Sequence, residues 1–184
     1  MARIGIGADG WLRGVRRQRS PHHDRRPAGT AVDLIVVHGI SLPPGCFGGP
    51  WIDRLFTNRL DPRAHPYFVA VAALKVSSHL LVRRDGVVTQ YVPFDARAWH
   101  AGASRFAGRK RCNDFSIGIE LEGTDDRSYT VRQYARLTRL CTQLIAAYPG
   151  IDRDRIVGHS DIAPGRKTDP GPHFDWERYR KALT

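Results

Sequence analysis

Long apolar runs, paired cysteines and acidic side chains are all scarce in this chain of 184 residues, and each shortage closes off a class of protein. No stretch approaches the roughly 18–20 consecutive apolar residues a membrane-spanning helix needs, so no membrane partner is expected. The first ten residues, Met1-Ala2-Arg3-Ile4-Gly5-Ile6-Gly7-Ala8-Asp9-Gly10, lack the apolar core of a secretory signal; a cytoplasmic setting is expected. The three cysteines, Cys46, Cys112 and Cys141, are odd in number and form no C-x-x-C pair. That excludes a disulfide framework and leaves reduced thiols as the expectation.

The shortage of acidic residues leaves 29 Lys and Arg against 18 Asp and Glu, a formal charge of +11. The excess is uneven, because residues 1–30 hold seven arginines against only Asp9 and Asp24. This segment reads as an irregular, arginine-rich arm that packs on a catalytic domain spanning residues 31–184. A basic surface suits nucleic acid, an anionic membrane or an acidic ligand. No helix-turn-helix signature, RNA-binding aromatic motif or paired Cys/His finger is present, so nucleic acid is not expected as a partner. A small ligand rich in carboxylates fits the charge.

What is present is enough chain, and at 41% an ordinary enough hydrophobic fraction, for one domain with a real core. Residues 32–38 are apolar and β-prone and end at His38. Pro50 sits where the first turn of a short helix tolerates it, with Trp51, Ile52, Leu55 and Phe56 as an apolar face. Two β-prone runs, residues 78–83 and 87–92, flank Asp85-Gly86, a dipeptide suited to a type I′ hairpin turn. Residues 116–122 alternate, placing Ile117, Ile119 and Leu121 on one face and Ser116, Gly118, Glu120 and Glu122 on the other.

Thr130-Val131-Arg132-Gln133 matches a capping box. The stripe Tyr134, Leu137, Cys141, Leu144, Ile145 and Tyr148 then predicts a long amphipathic helix ended by Pro149-Gly150. A short strand over residues 155–158 and a closing helix over 176–183 complete the pattern. Strands mixed with helices, including one local hairpin, predict an α/β domain with a central mixed sheet flanked by helices.

The chemistry gathers near the C-terminus. Gly158-His159-Ser160-Asp161-Ile162-Ala163-Pro164-Gly165-Arg166-Lys167-Thr168-Asp169-Pro170-Gly171-Pro172 is punctuated by Pro and Gly and reads as a loop without helix. Two histidines and one carboxylate, His159 and Asp169 with the distant His38, would leave a zinc ion one open position, as in a catalytic site. Lysine, here Lys167, stabilises charge developing on a reacting oxygen. Each residue has a plainer use: a histidine ordinarily sits satisfied in a core or on the surface, and Asp before Pro is ordinarily a turn residue. Cys46, eight residues past His38, is a weak rival ligand. Glu120 and Glu122 share one strand face, and either could serve as a catalytic base.

These segments resemble, in order and over nearly the whole chain, the zinc-dependent N-acetylmuramoyl-L-alanine amidases, a family related to phage amidases and peptidoglycan recognition proteins. The resemblance rests on Val36-Val37-His38, Ser41-Leu42-Pro43-Pro44-Gly45, Phe47-Gly48-Gly49-Pro50-Trp51-Ile52-Asp53, His65-Pro66-Tyr67-Phe68, Gln90-Tyr91-Val92-Pro93-Phe94-Asp95 and Trp99-His100-Ala101-Gly102. It continues through Cys112-Asn113-Asp114-Phe115-Ser116-Ile117-Gly118-Ile119-Glu120-Leu121-Glu122 and Arg166-Lys167-Thr168-Asp169-Pro170-Gly171-Pro172. Within the family, the chain looks most like the branch that acts on anhydro-muropeptides recycled in the cytoplasm.

The resemblance implies that His38, His159 and Asp169 are the zinc ligands, Glu120 rather than Glu122 the catalytic carboxylate, and Lys167 a catalytic lysine beside the metal. Tyr67, Lys75 and Arg111 become candidates for substrate binding. The implied reaction is hydrolysis of the amide between the lactyl group of (1,6-anhydro)-N-acetylmuramic acid and L-alanine of the stem peptide, by a monomer. A non-catalytic muropeptide-binding module is the alternative; such modules typically lack a metal ligand, and this chain retains all three. His65, His79, His100 and His173 are assigned no metal role, and residues 99–102 read as a cleft wall in which His100 mainly packs. Gly39 departs from the family, whose members can carry asparagine there, and Gly165 leaves a small residue in the His159–Asp169 segment.

Overall fold

Strands buried on both faces need a nearly continuous apolar sequence, and Leu34-Ile35-Val36-Val37 and Ser116-Ile117-Gly118-Ile119 supply it at the centre of this fold. The computed structural model describes residues 5–183; Arg3 of the arm and the terminal Thr184 lie outside them. In chain order the strands are β1 (Arg16–Arg17), β2 (His23–Arg25), β3 (Leu34–Ile40), β4 (Leu80–Val82), β5 (Val88–Gln90), β6 (Ala96–Ala98), β7 (Arg105–Phe106), β8 (Arg109–Lys110), β9 (Ser116–Glu122) and β10 (Ile156–Gly158). The helices are α1 (Trp51–Phe56), α2 (Phe68–Val71), α3 (Val131–Ala147), α4 (His159–Ile162) and α5 (Trp176–Ala182).

Six strands form one sheet in the order β1-β5-β4-β9-β3-β10. β3 lies parallel to β9 and β10, and β4 lies parallel to β9, while β4 and β5 are antiparallel. The expected mixed sheet is therefore present, and helices cover both faces. On one face Ile35, Val37, Ile117, Ile119 and Leu121 pack with Leu137, Leu140 and Leu144 of α3 and Tyr179 of α5. On the other, Leu81 joins Ile52, Leu55 and Phe56 of α1 and Phe68 of α2, while Leu34 and Val36 join Phe115 and Ile162.

The helix α3 is fixed at its start as its sequence predicts. The Gln133 amide N–H donates to Thr130 Oγ1 at 3.1 Å, and Gln133 Oε1 accepts from the Thr130 N–H at 3.0 Å. The buried Gln133 also donates from Nε2 to the carbonyls of Val82 and Glu122. One side chain thus caps the helix and ties it to the ends of two strands.

Four local expectations are corrected. First, only Gly86 of the Asp85-Gly86 dipeptide has positive φ, at 83°. The Gly86 N–H donates to the Arg83 carbonyl and the Arg83 N–H to the Val87 carbonyl, so the connection is the three-residue kind with Gly in the left-handed position, not type I′. Second, the strand expected over residues 32–38 runs from Leu34 to Ile40, because pairing with β9 continues to Glu122. Third, the segment after Gly158 is not all loop: His159 opens the one-turn helix α4, with Asp161 Oδ2 accepting from the Gly158 N–H at 2.7 Å.

Fourth, the N-terminal segment is not irregular. β1 pairs with β5 as an edge strand and β2 pairs with β6. Trp11 and Leu12 are buried, and Arg26 donates to the carbonyls of Phe94, Asn113, Asp114 and Ser116. Its arginines conceal this from a reading by hydropathy, since a guanidinium is buried at tolerable cost when backbone carbonyls take up its donors.

Candidate active site

Parallel strands deliver their C-terminal ends to one edge of a sheet, the usual place for a ligand in such folds. Here β3 and β10 pair with Gly158 opposite Val37, so His159, the next residue, emerges beside His38. In the neighbouring register Glu120 of β9 lies opposite His38. The third group returns from the segment after α4, where the Ser160 N–H donates to the Asp169 carbonyl at 3.0 Å. The Tyr129 hydroxyl holds the adjacent Pro170 carbonyl at 2.9 Å.

His38 Nδ1 lies 3.0 Å from His159 Nδ1, and each is 3.1 Å from Asp169 Oδ2. Among the described residues these three form a group able to hold a metal ion. The donor set fits zinc: bonds of about 2.0–2.1 Å in a tetrahedron put neighbouring donors roughly 3.3 Å apart, close to the observed triangle. Both imidazoles are buried, at 2% and 3% exposure, and burial pulls His38 down to about 4, so it stands as a neutral imidazole with a lone pair to offer. Burial pushes the Asp169 carboxyl up, but the two imidazoles set against its Oδ2 outweigh it and hold the group well below the usual carboxylate range.

Beside this triangle opens a cleft of about 450 Å³. His38, Asp169, Glu120 and Lys167 line it together with Tyr67, Trp99 and His100. Burial raises the Glu120 carboxyl well above its ordinary value, with Asp169 adding to the shift and Lys167 opposing it. Burial thus favours the protonated form, and a carboxyl held in this way beside a reacting amide is suited to take and return a proton.

The rival carboxylate is occupied elsewhere. Glu122 accepts from the Gly48 N–H at 2.7 Å and the Arg84 N–H at 3.3 Å, with Arg83 at 3.4 Å. It anchors the turn at residues 45–49 and does not line the cleft. Cys46 is exposed and stands outside the metal-binding group.

Of the expected substrate contacts, Tyr67 lines the cleft, while exposed Lys75 lies between two lining residues, Leu74 and Val76. Arg111 lines a separate depression with Ser104 and Lys110 and pairs with Asp114 at 3.2 Å. At Gly39 a Cβ would stand 2.4 Å from the Tyr129 hydroxyl. The position where relatives can carry asparagine has no room for a side chain unless Tyr129 moves.

Sequence reasoning gave His100 no polar role. The structure places its Nδ1 2.9 Å from His38 Nε2, half-buried at the wall of the cleft. The signal that pointed there was the motif Trp99-His100-Ala101-Gly102, whose position next to His38 no spacing in the chain discloses.

The N-acetylmuramoyl-L-alanine amidase family model matches residues 28–172. The chain is 62% identical over 171 residues to the 1,6-anhydro-N-acetylmuramyl-L-alanine amidase AmpD of Escherichia coli K12, covering 93% of each chain. A crystal structure of a selenomethionine derivative of AmpD superposes with a TM-score of 0.93 at 60% identity, covering 96% of this chain and 98% of that one. The E. coli amidase AmiD, in complex with the substrate anhydro-N-acetylmuramic acid-L-Ala-D-γ-Glu-L-Lys, superposes with a TM-score of 0.61 at 28% identity, covering 96% and 65%. With the family match over residues 28–172 and 62% identity across nearly the whole chain, the chain belongs to the N-acetylmuramoyl-L-alanine amidase family and is a hydrolase of amide bonds.

Proposed function

We propose that this protein is a zinc-dependent amidase of cytoplasmic peptidoglycan recycling. It hydrolyses the amide between the lactyl group of 1,6-anhydro-N-acetylmuramic acid and L-alanine of the stem peptide. The observation that carries this reading is the triangle of His38 Nδ1, His159 Nδ1 and Asp169 Oδ2 beside Glu120 and Lys167 in one cleft. Likeness to an amidase whose structure is a complex with an anhydro-muropeptide substrate supports the substrate class. Among the described residues, no helix is long and apolar enough to cross a membrane.

His38, His159 and Asp169 would hold zinc, which when bound would supply a Lewis acid and lower the pKa of water from 15.7 to about 7. Glu120 takes the proton from the attacking water and returns it to the alanine nitrogen, because an amide nitrogen leaves only as a neutral amine. Lys167 offers its ammonium to the oxyanion that forms at the lactyl carbonyl, a contribution of about 3–4 kcal/mol for a well-placed donor. Tyr67 contacts the substrate in the cleft. Lys75 and Arg111 serve carboxylates of a stem peptide that extends beyond it, so Arg111→Ala raises KM for tripeptide substrates while kcat holds.

Mass spectrometry of anhydro-muramyl-tripeptide incubated with the protein, with and without a zinc chelator, tests the reading. Free tripeptide is expected only in the unchelated sample. Intact substrate in the zinc-replete sample, with binding still measurable, overturns the enzyme in favour of a recognition module.

A further inference from the structure

Both ligand histidines present Nδ1 to the metal triangle, and in both the other nitrogen is engaged by the same four-residue segment. The inference rests on the zinc reading above and concerns how that choice of nitrogen is made. His159 Nε2 lies 3.2 Å from the Ala101 carbonyl. A carbonyl oxygen only accepts, so this contact, shorter than the 3.5 Å to Arg166 Nη2 at the same nitrogen, is made when His159 carries its proton on Nε2 and leaves Nδ1 to a metal.

His38 Nε2 meets His100 Nδ1 at 2.9 Å, a contact whose direction is ambiguous in isolation. The far end of the chain of contacts removes the ambiguity. Ser116 Oγ donates to the Cys112 carbonyl at 2.6 Å and therefore faces His100 Nε2, 3.3 Å away, with a lone pair. His100 must carry its proton on Nε2, its Nδ1 must accept, and His38 must donate from Nε2. Nδ1 of His38 is left free for the metal.

The segment is itself held in place. Asn113 Oδ1 accepts from the N–H groups of both His100, at 3.1 Å, and Ala101, at 2.8 Å. Arg166 donates to the carbonyls of Ala101 and Ala103, each at 2.7 Å. The ring of His100 lies so close to β9 that a Cβ on Gly118 would stand 2.5 Å from it. Packing alone would be met by any flat apolar side chain and would not require three polar contacts in sequence.

We propose that residues 99–102 form a clamp that fixes the tautomer of both metal-binding histidines, with His100 the positioning residue for His38. Such outer partners set ring orientation and ligand basicity, and their loss typically weakens metal binding about 10–100-fold. In this role His100 acts through His38.

Zinc affinity measured by competition with a fluorescent chelator tests it on the wild-type protein, His100→Leu and His100→Asn. His100→Leu is expected to weaken zinc binding about 10–100-fold, while His100→Asn, whose Oδ1 can accept where Nδ1 did, restores most of it. Unchanged affinity in His100→Leu, or His100→Asn no better than His100→Leu, overturns the proposal. Long-range 1H–15N spectra of the zinc-loaded wild-type protein give a second readout that needs no variant to fold. Protons on Nε2 of His38 and His159 are expected, and a proton on Nδ1 of His38 overturns the clamp. Wild-type protein that takes up no zinc overturns the metal reading itself, and the clamp with it; tight wild-type binding left intact by His100→Leu overturns the role of His100 alone.

Discussion

The face of β3 and β9 that meets α3 carries Ile35, Val37, Ile117, Ile119 and Leu121, whereas their opposite face ends in His38, Glu120 and the bare backbone of Gly118. Both faces are closed to solvent, but they are closed by different physics. On the α3 side, contacts are non-directional, and burial of each aliphatic side chain contributes about 1.5–3 kcal/mol whatever its exact neighbours. On the cleft side every buried polar atom must meet a partner of the right sign at hydrogen-bonding distance or destabilise the fold. Volume governs substitution on the first face, and chemistry governs it on the second.

The largest separation between the two faces is expected from Glu120→Gln, which keeps the side chain's shape and removes its ability to carry a proton. It lowers kcat about 10²–10⁴-fold with the far-ultraviolet spectrum unchanged; full activity would remove Glu120 from the chemistry. The same variant alters stability in the opposite sense. Because burial raises the Glu120 carboxyl in the folded state, folded metal-free protein retains a proton that the unfolded chain gives up. The contribution of Glu120 to stability therefore falls as pH rises from the ordinary glutamate range through the raised value, while the lowered His38, His79 and His100 contribute in the opposite sense, and Glu120→Gln removes only the fall. Denaturant titrations of metal-stripped protein at pH 5 and pH 8 measure the difference.

Ile119→Ala, on the other face of the same strand, is expected to cost about 2–5 kcal/mol of stability. Activity per folded molecule stays near wild type. Loss of turnover in fully folded Ile119→Ala would show that the two faces are not separable.

A smaller effect is expected at Arg26, which reaches from the N-terminal segment to the cleft-side backbone at Asn113, Asp114 and Ser116. Arg26→Ala leaves buried carbonyls without donors at about 1–3 kcal/mol, and urea unfolding reads it. An unchanged midpoint would return residues 5–30 to the status of a loose extension. The smallest effect is Thr130→Ala, which removes one cap from α3 on the aliphatic side and costs about 1 kcal/mol, without change in KM or kcat.

How far the chain could be read follows the same division. The start of α3 and the alternation of β9 were legible because each rests on neighbours within four residues, where spacing alone fixes geometry. The hairpin was legible in its strands but not in its turn, since Asp85-Gly86 serves two loop lengths and only pairing across Leu80–Val82 and Val88–Gln90 selects one. The N-terminal segment misled because its arginines suggest solvent, while the acceptors that bury Arg26 lie 68 or more residues away.

By itself the sequence determined the central strands and α3, the α/β class and the set of groups from which a site could be built: two histidines, an aspartate, a lysine and two competing glutamates. Local periodicity and side-chain chemistry carry that much. Which glutamate faces the cleft, which nitrogen of each histidine faces Asp169, and that His100 stands behind His38 were decided only by the tertiary structure. Those facts depend on the register of β3 against β9 and β10 and on contacts between residues 58 to 131 positions apart. No pattern along the chain encodes distances of that kind.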